Sequence, residues 1–511
     1  MKKLLSTMLI LVLSCTLLFA VSCTLLFAAG EPKYGGTLTV GIEAEPPLLD
    51  PHFGAQSNLV LSLIDLHSDH LWRWDHEFSE CVPHVAESWK WIDDMNFKVY
   101  VRRGVKFHNG REVKAEDVKY SIDRILDPKT ASPSAAFLEP IKKVTVDSEY
   151  SLTITLKNPW FGLQDVLARH GAIVPKEAVE KYGDLKTHPV GCGPFVFESW
   201  EPGLQMKFKK FDDYYKGKPY LDEVVIRFMP EYSTAKSALL AREIDLINWP
   251  DSADVDSLKA NKDLELFFYN VNAIMYICIN TKSKPLDNPL VRKAIALATD
   301  RDAYNDALYR GMGKPSCSPI PSSQPYHKEE WEYERDIEKA KKLLAEAGYP
   351  NGFKIRILAL KGSEEIMGEV LQANLADIGI EGEITITEIP VALDNIFNKE
   401  DFDLGVLGDI VSPDPDFFLT KYMVPRGGAA GATGRWDNAR VQELIEKGRG
   451  TIDMSERIKI YQEIYDIIIL KETPMIFLAW PVRHPVYRKY VKGWFAWGDI
   501  RYDWRNVWLD K

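Results

Sequence analysis

Cysteine is scarce in this chain: six in 511 residues, with Cys15 and Cys23 inside an N-terminal apolar run. The other four, Cys81, Cys192, Cys278 and Cys317, have no spacing that suits a metal cluster. Their pairing cannot be read from the sequence, and isolated buried thiols are the preferred reading. Excess positive charge is also missing. Lys and Arg total 63 against 74 Asp and Glu, a net charge of −11, which disfavours nucleic acid as a partner. Beyond the first thirty or so residues no apolar run is long enough to span a membrane. Catalytic motifs are lacking too. No G-x-S-x-G elbow occurs, and His76-Glu77 has no second histidine to complete a zinc-hydrolase motif. The glycine-rich run at 427–434 (GGAAGATG) is not followed by Lys-Ser/Thr, so it reads as a mobile loop rather than a phosphate cradle. No residue is assigned a catalytic role and the chain is read as a non-enzyme. A secreted hydrolase with an unrecognised site is the rival class.

The N-terminus reads as an export signal. Lys2 and Lys3 precede an almost unbroken apolar stretch over 4–29 that ends in small residues. Within it SCTLLFA occurs twice. An uncleaved membrane anchor is the alternative, since the run is long enough to span. Cys23, preceded by Ala20-Val21-Ser22, and Cys15 are candidate lipidation sites, with simple export the other option. Either way the expected location is the periplasm or the outer face of the cytoplasmic membrane. With 46% hydrophobic and 27% charged residues, the chain is globular and long enough for two or three domains.

The chain is organised around residues 102–126. Residues 91–102 (WIDDMNFKVYVR) alternate and are rich in aromatic and β-branched side chains, predicting a strand. Phe107-His108-Asn109-Gly110 supplies an Asn-Gly turn. From Ala115, Val118, Ile122 and Ile125 recur at helical spacing behind Glu116 and Asp117, which favour a helix start. Further strands are predicted at 37–42, 150–156, 195–200, 205–211, 223–229, 273–279, 353–360, 384–389 and 475–480. Helices are expected at 58–74, 233–242, 288–298, 301–309 and 365–378, and another after an Asp453 cap. Strand, helix and strand over 353–389 argue for a parallel βαβ unit. The Pro- and Asn-containing break at 282–289 reads as the first hinge.

The pattern R-x-G-V-x-F-H-x-G followed by A-E-D-V-x-Y-S, starting here at Arg102, resembles the signature of extracellular solute-binding proteins of family 5, the receptors of bacterial peptide-type ABC importers. Gly35-Gly36-Thr37 with Leu49-Asp50-Pro51, His188-Pro189-Val190-Gly191, Asp213-Tyr214-Tyr215, Arg242-Glu243-Ile244-Asp245 and Val291-Arg292-Lys293-Ala294 extend the resemblance in order along nearly the whole chain. It implies an α/β, periplasmic-binding-protein-like fold of the class II type, with two hinged lobes and an extra α/β subdomain. After a signal over 1–29, the implied divisions give lobe I 30–55, 188–283 and 479–511, the subdomain 56–187, and lobe II 284–478. The implied function is capture of short peptides by lobe closure and delivery to a membrane permease driven by a separate ATPase. The protein would act as a monomer, with no cofactor. An oligosaccharide or opine-like solute is the alternative cargo.

The candidate site centres on Gly405-Val406-Leu407-Gly408-Asp409. In peptide-binding members a glycine four residues before an aspartate lies here. The main chain between them pairs with the peptide, and the aspartate meets its α-ammonium group. This chain keeps Gly405 and Asp409 but has Val406 where an aromatic residue is usual, and Asp414-Pro415 comes two residues late. The other reading is that Asp409 caps a turn. The resemblance further implies ligand contacts from the 44–47 loop with Glu45, from Asn248 and Trp249, and from Tyr276 and Asn280, although the aromatics could equally pack within a lobe. His67, His70 and His76 with Asp65, Asp69 and Asp75 could suit a transition metal, and some relatives carry metal chelates. A solvated polar face is preferred, and no metal ligand is assigned.

Overall fold

The structure is a computed structural model that describes residues 31–54, 58–75 and 80–511. The apolar run with Cys15 and Cys23, together with Gln56, His76 and Glu77, lies outside the described residues.

The first body opens with β1 (Thr37–Ile42), whose Leu38, Val40 and Ile42 alternate into the core. A helix, α1 (Asn58–His67), lays Leu63 and Leu66 on the same core. It ends well before residue 74, because the Gly193 N–H donates to the His67 carbonyl at 3.1 Å and the chain turns into the strand Trp72–Trp74. The stretch 91–102 also differs from expectation. It is a hairpin of β2 (Ala86–Asp93) and β3 (Asn96–Val101), turned where the Asp93 carboxylate accepts from the N–H groups of Met95 and Asn96 at 2.8 and 2.9 Å. The helix α2 (Ala115–Leu126) follows as expected, burying Val118, Ile122 and Ile125. Next come α3 (Ala135–Leu138), β4 (Ile141–Ser148), β5 (Ser151–Leu156) and α4 (Leu163–His170). These elements form a subdomain on a four-stranded antiparallel sheet of order β2–β3–β5–β4.

The main sheet continues with β6 (Phe195–Glu201), β7 (Gln205–Lys210), β8 (Glu223–Phe228), β9 (Leu246–Ile247) and β10 (Leu264–Leu266). The chain then crosses to the second body. There β11 (Ala273–Ile279), β12 (Lys314–Pro315), β13 (Lys354–Leu360), α5 (Ser363–Ala376) and β14 (Glu381–Thr387) lead to β15 (Leu404–Ile410). After them come α6 (Pro415–Tyr422), α7 (Ala439–Gly450), α8 (Met454–Tyr465) and β16 (Met475–Trp480). The second sheet has the order β12–β16–β11–β15–β13–β14, with β13 and β14 parallel around α5 as the expected βαβ unit. Finally β17 (Val486–Arg488) returns to the first sheet between β9 and β10, giving β10–β17–β9–β1–β8–β7–β6.

Two crossing segments therefore join the bodies. They lie side by side, Tyr269–Asn270 antiparallel to Val482–Arg483. Because β11 is paired on both edges within the second sheet, the chain enters that body at residues 271–273, ahead of the break at 282–289. That break is the outer turn of the second body, held by the Ser283 hydroxyl donating to Asp403 at 2.6 Å. The run 427–434 is likewise packed rather than mobile: Ala430, Ala432 and Thr433 are fully buried in a short helical turn.

Candidate functional site

The two bodies meet along a cleft where α4 and α3 of the first face β15 and α6 of the second. Several contacts cross it, among them the Arg457 guanidinium lying over the Phe161 ring, 4.7 Å from its centroid. The Ser412 hydroxyl donates to Asp165 Oδ2, the Phe161 N–H donates to the Arg449 carbonyl at 2.9 Å, and the Phe137 and Phe417 rings stack with centroids 5.4 Å apart. The cleft holds an inner chamber of about 210 Å³ and an outer one of about 570 Å³. Both are lined by Phe137, Asp165, Val166, Phe417 and Lys421.

Asp409, near the end of β15, faces the inner chamber. Its Oδ2 accepts from the Lys421 ammonium and the Tyr422 hydroxyl, each at 2.5 Å, and its Oδ1 accepts from the Ile410 N–H at 2.9 Å. Lys421 and Tyr422 reach it because Asp414, accepting from the Asp416 N–H at 2.9 Å, starts α6 and sends it back past the strand end. The Val411 N–H donates to the Asn272 carbonyl at 2.8 Å. The two-residue alternation of an antiparallel ladder then turns the main-chain groups of exposed Gly408 away from β11.

Opposite stands Asp165, on α4. Trp74 Nε1–H donates to its Oδ1 at 2.7 Å, and Ser412 holds Oδ2. Burial, then the nearby Asp414 charge, raise its pKa to about 7, partly offset by these two donors and by Arg169. Arg169, Asp499 and Arg501 complete the charged lining. Arg501 is fixed from behind by Asp65, with Nε 3.1 Å from Oδ2, and by the Ala168 carbonyl at 3.0 Å.

The remaining expected residues are spread through the fold. Gly405 and Val406 are buried in β15, with Val406 in the second body's core, and Leu407 packs on that sheet's opposite face. Together they fix the strand that carries Asp409. Tyr276 is buried, its hydroxyl 2.8 Å from that of Tyr422, one shell behind Asp409. Asn280 donates to the carbonyls of Glu400 and Phe402 at 2.9 and 3.1 Å, at the far end of β11. Asn248 donates to the Tyr502 hydroxyl at 2.9 Å, and half-buried Trp249 packs against the first body's core. Glu45 is exposed and accepts from Trp200 Nε1–H at 2.7 Å and the Gly203 N–H at 3.0 Å. Asp409 alone of these residues lines the inner chamber.

Of the histidine-rich stretch, Asp65, His67, Asp69 and His70 are buried rather than part of a solvated face. His67 lies with Nδ1 2.9 Å from the Ser68 hydroxyl, while His70 receives an Arg501 N–H at 3.0 Å. Burial holds His67 near pKa 3, and His70 well below its usual value, so both are neutral. Asp69 accepts from the hydroxyls of Tyr214 and Tyr215 at 3.1 and 2.7 Å and from His84. Among the described residues no group of three His, Cys, Asp or Glu is arranged to hold a metal ion. The four cysteines Cys81, Cys192, Cys278 and Cys317 are free, the last three buried.

Phe137, Asp165, Phe417 and Lys421 were not singled out from the sequence. For Lys421 a signal existed, since the Asp414-Pro415 helix start places it two turns along a returning helix. Nothing in sequence places Phe137 or Asp165, which belong to the other body.

Residues 80–429 match the family model for bacterial extracellular solute-binding proteins, family 5. Heme-binding protein A of Haemophilus influenzae is 30% identical over 438 residues, covering 79% of each chain. The dipeptide-binding protein of Escherichia coli is 28% identical over 452 residues, covering 81% of this chain and 84% of its own. Among solved structures, AgaA from A. tumefacien R10 in complex with agropinic acid superposes with a TM-score of 0.76 at 30% identity, covering 93% of this chain and 99% of its own.

Proposed function

The chain belongs to the bacterial extracellular solute-binding proteins of family 5, receptors of ABC importers, and from that premise we propose that it captures short peptides and hands them to a membrane permease. The observation that carries the peptide reading is the environment of Asp409. Its carboxylate stands at the wall of the inner chamber, already paired with an ammonium group, that of Lys421. A peptide's α-ammonium is the same chemical group. Exchanging one for the other keeps the carboxylate paired throughout, with charge-assisted hydrogen bonds from Tyr422 and Ile410 retained.

Gly405, Val406 and Leu407 hold the strand, and the outward main chain at Gly408 offers backbone pairing that ignores side-chain identity. Closure of the bodies excludes water and strengthens each polar contact inside. Glu45, Asn248, Trp249, Tyr276 and Asn280 support the frame, in this reading, rather than the ligand directly. A second reading, an opine-like carboxylate, is favoured by Arg169 and Arg501 at the same chamber and by the agropinic acid complex of AgaA.

Calorimetric titration with free and N-acetylated di- and tripeptides separates the two. The peptide reading expects acetylation to abolish binding. Equal affinity for the acetylated forms, or binding of opines alone, overturns it.

A further inference from the structure

The two chambers are divided by a wall that neither body owns. Phe137, on α3 of the first body, and Phe417, on α6 of the second, stack at 5.4 Å with their planes 21° apart, and both rings line both chambers. Phe137 also stacks on His170, 4.6 Å away and nearly parallel at 10°. His170 in turn sits with Nδ1 3.0 Å from the Ser134 hydroxyl and is buried in a neutral state. Phe137 is thus packed on a fixed ring, while Phe417 rides on the opposite body. The stack can form only when the bodies come together.

Size gives the wall its consequence. The inner chamber, with Asp409, is about 210 Å³, smaller than the roughly 300–1,000 Å³ of clefts that enclose drug-sized ligands. The outer chamber is about 570 Å³ and differs in character, with Trp160, Pro140 and Pro159 beside Lys157, Arg426 and Arg449. A ligand confined to the inner chamber leaves the rings in contact. One that continues outward must part them and lose their stacking, worth roughly two- to tenfold in an equilibrium constant.

We propose that the Phe137–Phe417 stack sets ligand length, closing behind a ligand of about two residues and penalising longer ones. This rests on the peptide reading above and adds to it a residue pair that reads size rather than charge. Removing either ring merges the chambers and relieves the penalty.

The test is a calorimetric length series, from dipeptide to pentapeptide with free N-termini, on the wild type and on Phe137→Ala, Phe417→Ala and the milder Phe417→Leu. Thermal melting of each variant establishes that it folds. The wild type should bind dipeptides best. In the alanine variants the ratio of pentapeptide to dipeptide dissociation constants should fall by roughly two- to tenfold, and Phe417→Leu should fall between. An unchanged ratio in folded variants overturns the role of the stack while leaving the peptide reading intact. Failure of the wild type to bind any peptide overturns both.

Discussion

The Nζ of Lys421 lies 2.5 Å from Oδ2 of Asp409, so the carboxylate expected to greet a ligand's ammonium is already answered from within the chain. Both side chains are partly open to the cleft, 34% and 22% exposed, so the pair can exchange partners. An ion pair this exposed is worth little by itself, about 1 kcal/mol or less. On the peptide reading Lys421 is a weak competitor for the ligand's ammonium. Lys421→Met should tighten binding of free-amine dipeptides by roughly two- to fivefold, read by calorimetry. Weakened binding would mean that Lys421 holds the ligand rather than competing with it.

Asp165 makes closure sensitive to pH. Its pKa stands at about 7 when buried beside Asp414 under Ser412, against an ordinary value near 3.8. A carboxyl whose pKa is raised in the closed form takes up a proton on closing. The advantage to closure is full below about pH 3.8, is lost as pH rises from there through about 7 by at most tenfold per unit, and changes little above it. Ligand affinity should decline from pH 6 to pH 8, and Asp165→Asn should flatten that decline. Titrations at the two pH values check it.

Arg457 holds the second body beside the cleft. It is 1% exposed, donates to both oxygens of Asp414 at 2.8 and 2.9 Å, and reaches the Tyr326 hydroxyl at 2.5 Å. Arg457→Met would leave Asp414 buried without its cation, at a cost of about 3–5 kcal/mol. Denaturant unfolding should show the loss in the transition of the second body.

Gly431 shows why the glycine-rich run is not a loose loop. A Cβ there would lie 2.3 Å from the Phe397 carbonyl oxygen and 2.5 Å from that of Ile396. Gly431→Ala should destabilise by about 1–3 kcal/mol through overpacking, whereas Gly428→Ala, with open space around it, should be nearly neutral. Melting curves of the two variants give the comparison.

Local pattern made much of the fold legible. The helix α2 and the strand β1 follow their periodicity closely because each buries one face on a single core, whereas β11 is an unbroken apolar run that buries both faces between two cores. Turns hidden inside apolar alternation were harder. Residues 91–102 alternate straight through the hairpin, and only the Asp93 side chain, accepting from the next residues' N–H groups, marks the corner. The 282–289 break carries every hinge-like residue, yet the crossing lies at 269–273, whose pairing partner is more than two hundred residues away. For the candidate site, Asp409 was proposed from the resemblance to peptide-binding members, and the structure places it on the wall of the inner chamber. Phe137 and Asp165 were not proposed, since closure alone brings them to β15 and α6.

Native mass spectrometry of the protein with a free-amine dipeptide addresses the account most directly. It predicts one intact dipeptide per chain in the wild type and none in Asp409→Ala. Equal loading of both proteins, no adduct at all, or a cleaved product in place of the dipeptide would contradict it.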